Sequence, residues 1–233
     1  MKDAFQIATP SINCNAIAPY YQFLEYASFG KQLEKARFAF FAETAGARRA
    51  LICGGGDGRF LARLLRYNAR VHVDFVDLSF RMAELSEHRI AAMGAPFRRR
   101  VTFHVEDLRQ FTPRLASYDL VVTNFFLDCF PATQIEAVVS RITSWTAPAS
   151  YWMLADFAQA PGIASALYTR AVTGALYAIF RFTTGLHVKR LPPYCNALTY
   201  SGFRELREQR ALGGLLHSSI WQRAQTPQRF AAA

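Results

Sequence analysis

The sequence predicts one α/β domain built on a mostly parallel sheet with helices on both faces. Short apolar runs recur along the chain, and segments with helical periodicity separate them. Strands and helices that alternate in this way form right-handed β–α–β crossovers. A chain of 233 residues that is 52% hydrophobic can bury one sizeable core, so we expect one fold with extra elements.

The predicted strands follow one another at regular intervals. Five are predicted, at residues 50–53, 71–76, 101–105, 120–123 and 151–154. The first crossover helix covers residues 60–65, and the second begins after a capping Ser79 and ends near Gly94. Residues 202–223 predict a closing hairpin, with strands at 203–207 and 215–221.

Segments outside these elements give the domain organisation. We expect an N-terminal helical arm or lid at residues 1–48 and a Rossmann-like domain at residues 49–223. An insertion in that domain, at residues 161–200, is expected to shape an acceptor pocket, and residues 224–233 are expected to form a flexible tail. Residues 163–186 are apolar and aromatic, but Arg170 and Arg181 argue against a bilayer span. The segment is expected to pack on the sheet or cap the pocket, and peripheral membrane contact stays open.

The formal charge of +10 is compatible with a nucleic acid, an anionic surface or an anionic substrate. The basic residues are dispersed, and the densest run, Arg98 to Arg100, lies between a helix pattern and a strand pattern. A solvated turn is the simplest interpretation there, so we do not expect nucleic acid as a partner. The sequence is also compatible with a homodimer.

Cysteine and histidine spacing indicates neither a disulfide framework nor a metal centre. The four cysteines are far apart, with no CxxC pair, and no two histidines have helical metal-ligand spacing. The first ten residues contain no apolar core long enough for a secretory signal. We therefore expect free thiols, no metal and a cytoplasmic location.

The strongest local signal is a glycine-rich turn between the first strand and the first helix, at residues 51–60. Glycines at 54, 56 and 58 give the spacing GxGxG, whereas a dinucleotide fingerprint would need a glycine where Arg59 stands. Such a loop lets a ligand approach the backbone. It suits a mononucleoside with an amino-acid tail.

Polar residues follow the next three strands. Asp77 ends the second strand, where a carboxylate can accept hydrogen bonds from ribose hydroxyls, or can equally serve as a charge at a helix N-terminus. Glu106 and Asp107 end the third strand, within reach of an adenine amino group, and Asn124 and Phe125 follow the fourth. Ligands of open α/β sheets bind outside the carboxyl ends of the strands, so these residues predict one crevice.

Residues 51–58, 76–79, Asp107 and 118–122 resemble the ordered motifs of class I, Rossmann-like S-adenosylmethionine-dependent methyltransferases, over roughly residues 20–221. The resemblance implies a seven-stranded sheet with an antiparallel C-terminal hairpin, S-adenosylmethionine as cofactor and S-adenosylhomocysteine as product. The cofactor-binding candidates are Tyr21, Cys53, Gly54, Gly55, Gly56, Gly58, Asp77, Leu78, Glu106, Asp107, Leu108, Asn124 and Phe125.

Within that set the resemblance implies particular roles. It gives Asp77 the ribose and Asp107 the adenine, with Leu78 and Leu108 flanking the adenine ring. One position departs from the family, since Ile52 stands where an acidic residue is common. A contact to the methionine amino group must then come from elsewhere, such as backbone carbonyls near Cys53 and Asn124.

The acceptor is less defined. Residues 18–24, 180–181 and 191–194 resemble the quinone and lipid-type methyltransferases, which favours a hydrophobic or aromatic small molecule methylated at carbon, oxygen or nitrogen. Residues 54–58 also resemble aminopropyltransferases of the spermidine synthase type, but those enzymes use acidic residues where this chain has 124–127. An RNA-binding protein or RNA methyltransferase is the third alternative, based on charge.

No dedicated base is required if the acceptor is already nucleophilic, because the sulfonium makes the methyl group electrophilic. The catalytic candidates are His187, Asp128 and Tyr194, with Arg181 beside Tyr194 as a pocket residue. Each has a structural alternative: Asp128, like Asp156, can cap a helix, and Tyr194 can be a core aromatic.

Overall fold

The computed structural model describes residues 29–113, 115, 117–158 and 191–224. It contains a seven-stranded sheet in the order β3-β2-β1-β4-β5-β7-β6. The strands are β1 Arg49–Cys53, β2 His72–Asp77, β3 Val101–Val105, β4 Tyr118–Asn124, β5 Thr146–Phe157, β6 Phe203–Ala211 and β7 Leu216–Arg223. Strands β1 to β5 are parallel, and β7 is antiparallel to both β5 and β6. The expected α/β sheet with an antiparallel C-terminal hairpin is confirmed.

Helices connect the strands in the expected crossovers. Those in the described residues are α1 Gln32–Arg37, α2 Arg59–Tyr67, α3 Phe80–Ala91, α4 Ala95–Arg98, α5 Ile135–Thr143 and α6 Tyr194–Tyr200. Ser79 caps α3 by accepting a hydrogen bond from the Met82 amide, as the sequence predicts. Most of the arm and insertion, with the tail from residue 225, lies outside the described residues, so the lid, pocket and tail assignments remain predictions.

Side chains of β1 point alternately to two hydrophobic layers, one on each face of the sheet. Ile52 packs in the layer that contains Phe60 and Leu64 of α2. Leu51 packs in the opposite layer with Val138 and other residues of α5. Because both faces are covered by helices, β1 is buried on both sides and only the ends of the strands are free to form a site.

The basic run at residues 98–100 connects neighbouring elements. The Arg100 guanidinium donates to the carbonyls of Leu65 and Asn68, at distances of 2.7 and 2.8 Å, where α2 ends. Arg98 pairs with Glu87 of α3 at 2.6 Å. Carbonyls at a helix C-terminus attract cations, which explains the position of Arg100. Arg98 and Arg100 therefore both have partners within the fold.

Strand β5 begins at Thr146, five residues before the predicted start at 151. This first part contains Pro148 and Ala149, and Ala149 has a φ of +59°. The pairing of β4 with β5 is irregular between Tyr118 and Leu120, so the sequence there lacks the alternation of a regular strand.

No helix of the described residues is long and apolar enough to cross a membrane.

Candidate functional site

The loop between β1 and α2 depends on backbone conformations that favour glycine. Gly54, Gly56 and Gly58 have φ angles of +63°, +60° and +76°. A Cβ on Gly58 would lie 2.5 Å from Ser86 Oγ and 2.9 Å from Ser86 Cα. The same Ser86 hydroxyl donates to the Gly56 carbonyl at 2.8 Å. The start of α2 therefore packs directly on α3.

Two glycines of the loop are surrounded by aromatic rings, and one faces open space. A Cβ on Gly54 would lie within 3.2 Å of three carbons of Phe126, and a Cβ on Gly55 within 2.7 Å of three ring carbons of Phe75. A Cβ on Gly56 would meet no heavy atom within 4 Å. The first two glycines are needed for packing, whereas Gly56 borders the space in which a ligand can lie.

Asp77 connects the end of β2 to this loop. Its Oδ2 accepts a hydrogen bond from the Gly56 amide at 3.0 Å, and its Oδ1 accepts one from the Ser79 amide at 2.8 Å. Burial raises the pKa of Asp77 to about 6, although both hydrogen bonds act in the opposite direction. The carboxylate thus holds the loop and the start of α3, and ribose binding by Asp77 remains a prediction.

The end of β3 lies directly beside Asp77, since the Glu106 amide donates to the Asp77 carbonyl. The Asp107 carboxylate accepts hydrogen bonds from the backbone and guanidinium of Arg109. Burial opposes ionisation of Asp107, but Arg109 outweighs it and lowers the pKa below its usual range. An adenine amino group at Asp107 would therefore share the carboxylate with Arg109.

The two residues expected to flank adenine differ in exposure. Leu78 is 46% exposed, whereas Leu108 is 5% exposed and belongs to the hydrophobic core. Leu78 can thus offer an apolar surface to a ring, and Leu108 can do so only through the little surface that it leaves uncovered. Flanking of adenine by this pair remains a prediction.

A crevice of about 430 Å³ opens at the carboxyl ends of β1 and β4, and part of it is solvent. Its walls include Cys53, the loop glycines 54–56, Asn124 and Phe125. The Asn124 Oδ1 atom is buried and accepts no hydrogen bond from any described residue. Phe125 has a φ of +54°, an unfavourable conformation for a side chain with a Cβ. A buried acceptor beside an open glycine is suited to a ligand that donates hydrogen bonds.

Arg37 also lines this crevice, although the sequence did not identify it as a cofactor contact. It is the last residue of α1, is 8% exposed, and its guanidinium lies 5.5 Å from the centre of the Phe125 ring. No spacing rule connects Arg37 to the loop, which begins 17 residues later at Gly54. The buried guanidinium places a positive charge at the crevice wall.

Asp128 and Tyr194 lie in a buried polar group behind the crevice. Asp156, which is fully buried, accepts hydrogen bonds from the Leu127 and Asp128 amides, and burial together with Asp128 raises its pKa well above the usual value. The Tyr194 hydroxyl donates to the Phe157 carbonyl at 3.1 Å. These contacts give structural roles to the side chains of Asp156 and Tyr194, and catalysis by Asp128 or Tyr194 remains a prediction.

Three other candidates, Tyr21, Arg181 and His187, lie outside the described residues. The structure brings the remaining cofactor candidates to one end of the sheet, near the glycine loop. Asp77 and the end of β3 are adjacent, and the space over Gly56 is open.

Comparison with known proteins agrees with this geometry. Residues 51–150 match a family model described as a methyltransferase domain. The solved N-methyltransferase NodS from Bradyrhizobium japonicum, in complex with S-adenosyl-L-homocysteine, superposes with a TM-score of 0.63 and 13% identity, over 90% of this chain and 98% of that one. At this identity the likeness shows the fold.

Two curated relatives match shorter segments. Polyamine aminopropyltransferase 2 of Bacillus cereus is 33% identical over 109 residues, which cover 44% of this chain and 30% of the relative. The tRNA1(Val) (adenine(37)-N6)-methyltransferase of Citrobacter koseri is 38% identical over 87 residues, covering 36% and 34% of the two chains. Each match spans about a third of the relative's length. The match to a methyltransferase domain and the 3-2-1-4-5-7-6 sheet with its open glycine loop support a class I S-adenosylmethionine-dependent methyltransferase.

Proposed function

We propose that this chain transfers a methyl group from S-adenosylmethionine to a hydrophobic or aromatic small molecule, at carbon, oxygen or nitrogen. The observation that carries the proposal is the open space over Gly56, whose amide donates to Asp77, in a crevice lined by Asn124, whose buried Oδ1 accepts no hydrogen bond from any described residue. The bound cofactor supplies an electrophilic methyl group on a sulfonium. The chain's own residues bind, orient and exclude water.

The residues divide the crevice between the two ends of the cofactor. Asp77 ends β2 and Asn124 ends β4, on opposite sides of β1. With ribose at Asp77, the amino-acid tail extends towards the β4 side. Arg37 and Asn124 line that side, so the proposed tail carboxylate lies near a guanidinium and its ammonium group lies near an amide oxygen. The Asn124 amide oxygen takes the place of the acidic residue that is missing at position 52.

Replacing Arg37 with methionine should weaken S-adenosylhomocysteine binding by roughly tenfold to a hundredfold, because a charge-assisted pair to the tail carboxylate is lost. Binding of methylthioadenosine, which has no amino-acid tail, should change less than threefold. Isothermal titration calorimetry with both ligands measures the difference. Arg63→Met is the matched control. The Arg63 guanidinium also lies near an aromatic ring, 4.5 Å from the centre of Phe38, but Arg63 does not line the crevice. Equal losses for both ligands would contradict the tail assignment.

An aromatic layer next to the crevice supports an apolar acceptor. Phe125 contacts Phe157 with ring centres 5.4 Å apart, and Phe157 contacts Phe29 at 5.7 Å. These rings connect the crevice wall to the segments that precede residue 29 and follow residue 158. Such a surface suits a flat apolar ring better than a polyamine, which carries several charges.

Aminopropyl transfer is the second candidate, because a relative of that activity matches nearly half of this chain. Two features of the crevice weigh against it. Decarboxylated S-adenosylmethionine has no tail carboxylate and keeps its positive charges, so a buried Arg37 would repel it rather than bind it. The residues where β4 ends are Asn124 and Phe125, which offer no carboxylate to a polyamine.

RNA methylation is the third candidate, supported by the tRNA methyltransferase relative and by the charge of +10. Two arginines of the densest basic run, Arg98 and Arg100, are already engaged with Glu87 and the end of α2. The charge therefore does not form a patch at that run. Small-molecule methylation remains the function that the crevice favours.

The function is tested by two linked measurements. Calorimetry should show one S-adenosylhomocysteine per chain, and mass spectrometry should then show a mass gain of one methyl group in an acceptor from a panel of quinols, phenols and heteroaromatic amines incubated with S-adenosylmethionine. A parallel reaction with decarboxylated cofactor and putrescine should give no new polyamine. Spermidine formation would favour aminopropyl transfer, and absence of any cofactor binding would refute both.

A further inference from the structure

Three potential metal ligands meet on the C-terminal hairpin, away from the crevice. Glu205 and Glu208 lie on β6 and His217 lies on β7, with ligand atoms all within 4.8 Å of one another. In a regular strand, residues three apart point to opposite faces. The pairing shifts between Glu205 and Arg207, and this bulge brings both carboxylates to the His217 side of the hairpin.

His217 is buried, and its Nε2 atom points at the two carboxylates. Its side chain is 1% exposed, and Nε2 lies 3.2 Å from Glu208 Oε2 and 3.4 Å from Glu205 Oε1. Neither His217 Nε2 nor the buried Glu205 Oε1 atom has a hydrogen-bond partner of good geometry among the described residues. A buried imidazole nitrogen that faces two carboxylates without a directed hydrogen bond needs an explanation.

The contacts of the opposite ring nitrogen are compatible with the tautomer that leaves Nε2 unprotonated. The Tyr194 hydroxyl lies 3.1 Å from the Phe157 carbonyl and 3.4 Å from His217 Nδ1. Its single proton goes to the carbonyl, which can only accept, so the hydroxyl oxygen is free to accept from Nδ1–H. Nε2 then carries a lone pair that faces two carboxylate oxygens. Three acceptors in contact repel one another unless a cation lies between them.

We infer that Glu205, Glu208 and His217 form a site for a first-row divalent cation, with Zn²⁺ as the best fit. A tetrahedral Zn²⁺ with bonds of about 2.0–2.1 Å places neighbouring ligand atoms roughly 3.3–3.4 Å apart. The two distances from Nε2, 3.2 and 3.4 Å, agree with that spacing. One imidazole and two carboxylates are a donor set that Zn²⁺ accepts. Tyr194 would hold the imidazole from the other ring nitrogen.

The carboxylates leave an entry path for the cation. The Glu205 and Glu208 side chains are 33% and 48% exposed, so water can fill a fourth position. Arg210 lies 3.2 Å from Glu208 Oε2 and is the cation that would compete for this site. The proposed ion would join the edge strand β6 to β7 and, through Tyr194, to α6.

The test titrates Zn²⁺ alone into the full chain, freed of tag and treated with chelator. Calorimetry should show one saturable ion per chain. Glu205→Gln and Glu208→Gln should each weaken binding at least tenfold, because each removes a ligand and a charge. Glu84→Gln is the control: Glu84 also pairs with an arginine, Arg81, but lies on α3. Both hairpin variants change half-exposed side chains, so they should fold, which circular dichroism checks.

Arg210→Gln separates the metal site from a simple ion-pair network. If the hairpin binds the ion, removal of the competing guanidinium should tighten Zn²⁺ binding by roughly threefold or more. Unchanged or weaker binding in this variant would contradict the site, as would the absence of saturable one-to-one binding in the parent chain. Cys195 Sγ lies 4.0 Å from His217 Nδ1. A loss in Cys195→Ser as large as that in Glu208→Gln would overturn the assigned ligands.

Discussion

Replacing Gly55 with alanine should lower the free energy of unfolding by about 2–3 kcal/mol, the range that overpacking of a dense core costs. The added Cβ would lie within 2.7 Å of three ring carbons of Phe75. Phe75 is fully buried and packs on Phe103 with ring centres 5.2 Å apart, so the ring has no space into which it can move. Urea denaturation followed by circular dichroism measures the change from the transition midpoint.

The adjacent Gly56 gives the matched control. A Cβ there meets no heavy atom within 4 Å, so Gly56→Ala should lose only about 1 kcal/mol, from the φ of +60°. Its effect should fall on the ligand instead, with S-adenosylhomocysteine binding weakened more than in Gly55→Ala once both variants are folded. Equal stability of the two variants would show that Gly55 does not support the packing described here.

The order of the elements could be predicted from the sequence because apolar runs and helical periodicity record which faces are buried. Residues 50–53 and 71–76 have strong signals, and their strands agree to within one residue at each end. The start of β5 was wrong by five residues, since Pro148 and the left-handed Ala149 interrupt the pattern that defines a strand. Local composition describes regular burial better than it describes bulges.

The site could be predicted only as far as local motifs extend. The glycine spacing and the acidic residue after β2 indicated a crevice, and the structure places Gly56 and Asp77 in contact. The packing roles of Gly54 and Gly55 depend on Phe126 and Phe75, which are distant in sequence. Likewise, no spacing rule brings Arg37 to the loop. Contacts between distant elements follow from the assembled sheet, so a single sequence does not contain a readable signal for them.

The proposed metal site on the C-terminal hairpin also could not be predicted from the sequence. The sequence predicted no metal site, because no two histidines have ligand spacing. The cluster of Glu205, Glu208 and His217 depends on one bulge and on antiparallel pairing, in which Arg210 rather than either glutamate stands opposite the histidine. Bulges are weakly encoded by residue type, so the ligand set becomes visible only when the register is known.

Replacing Asp77 with asparagine should weaken S-adenosylhomocysteine binding by roughly a hundredfold, which corresponds to the loss of one or two hydrogen bonds to a charged group. The carboxylate accepts from the Gly56 and Ser79 amides, and the proposed ribose hydroxyls would donate to the same group. Asparagine keeps the shape but has one acceptor oxygen and no charge. Calorimetry at pH 7.5 measures the affinity, with Asp74→Asn as the control, since Asp74 lies on the same strand and pairs with His104. Unchanged affinity would refute ribose binding by Asp77.

In the parent chain, stability and affinity for S-adenosylhomocysteine should depend on pH in opposite directions, and both dependences should come from Asp77. Burial raises the pKa of Asp77 from 3.8 to about 6, so protonation favours the unliganded fold and the contribution of Asp77 to stability falls as the pH rises from about 4 through 6. Ligand binding needs the ionised carboxylate, so affinity should instead fall as the pH drops through 6, by roughly tenfold at pH 5. In Asp77→Asn both dependences should flatten, because no proton is exchanged at that position. If affinity in the parent chain stays constant between pH 7.5 and 5, the carboxylate does not ionise in this range or does not contact the ligand, and the ribose assignment fails.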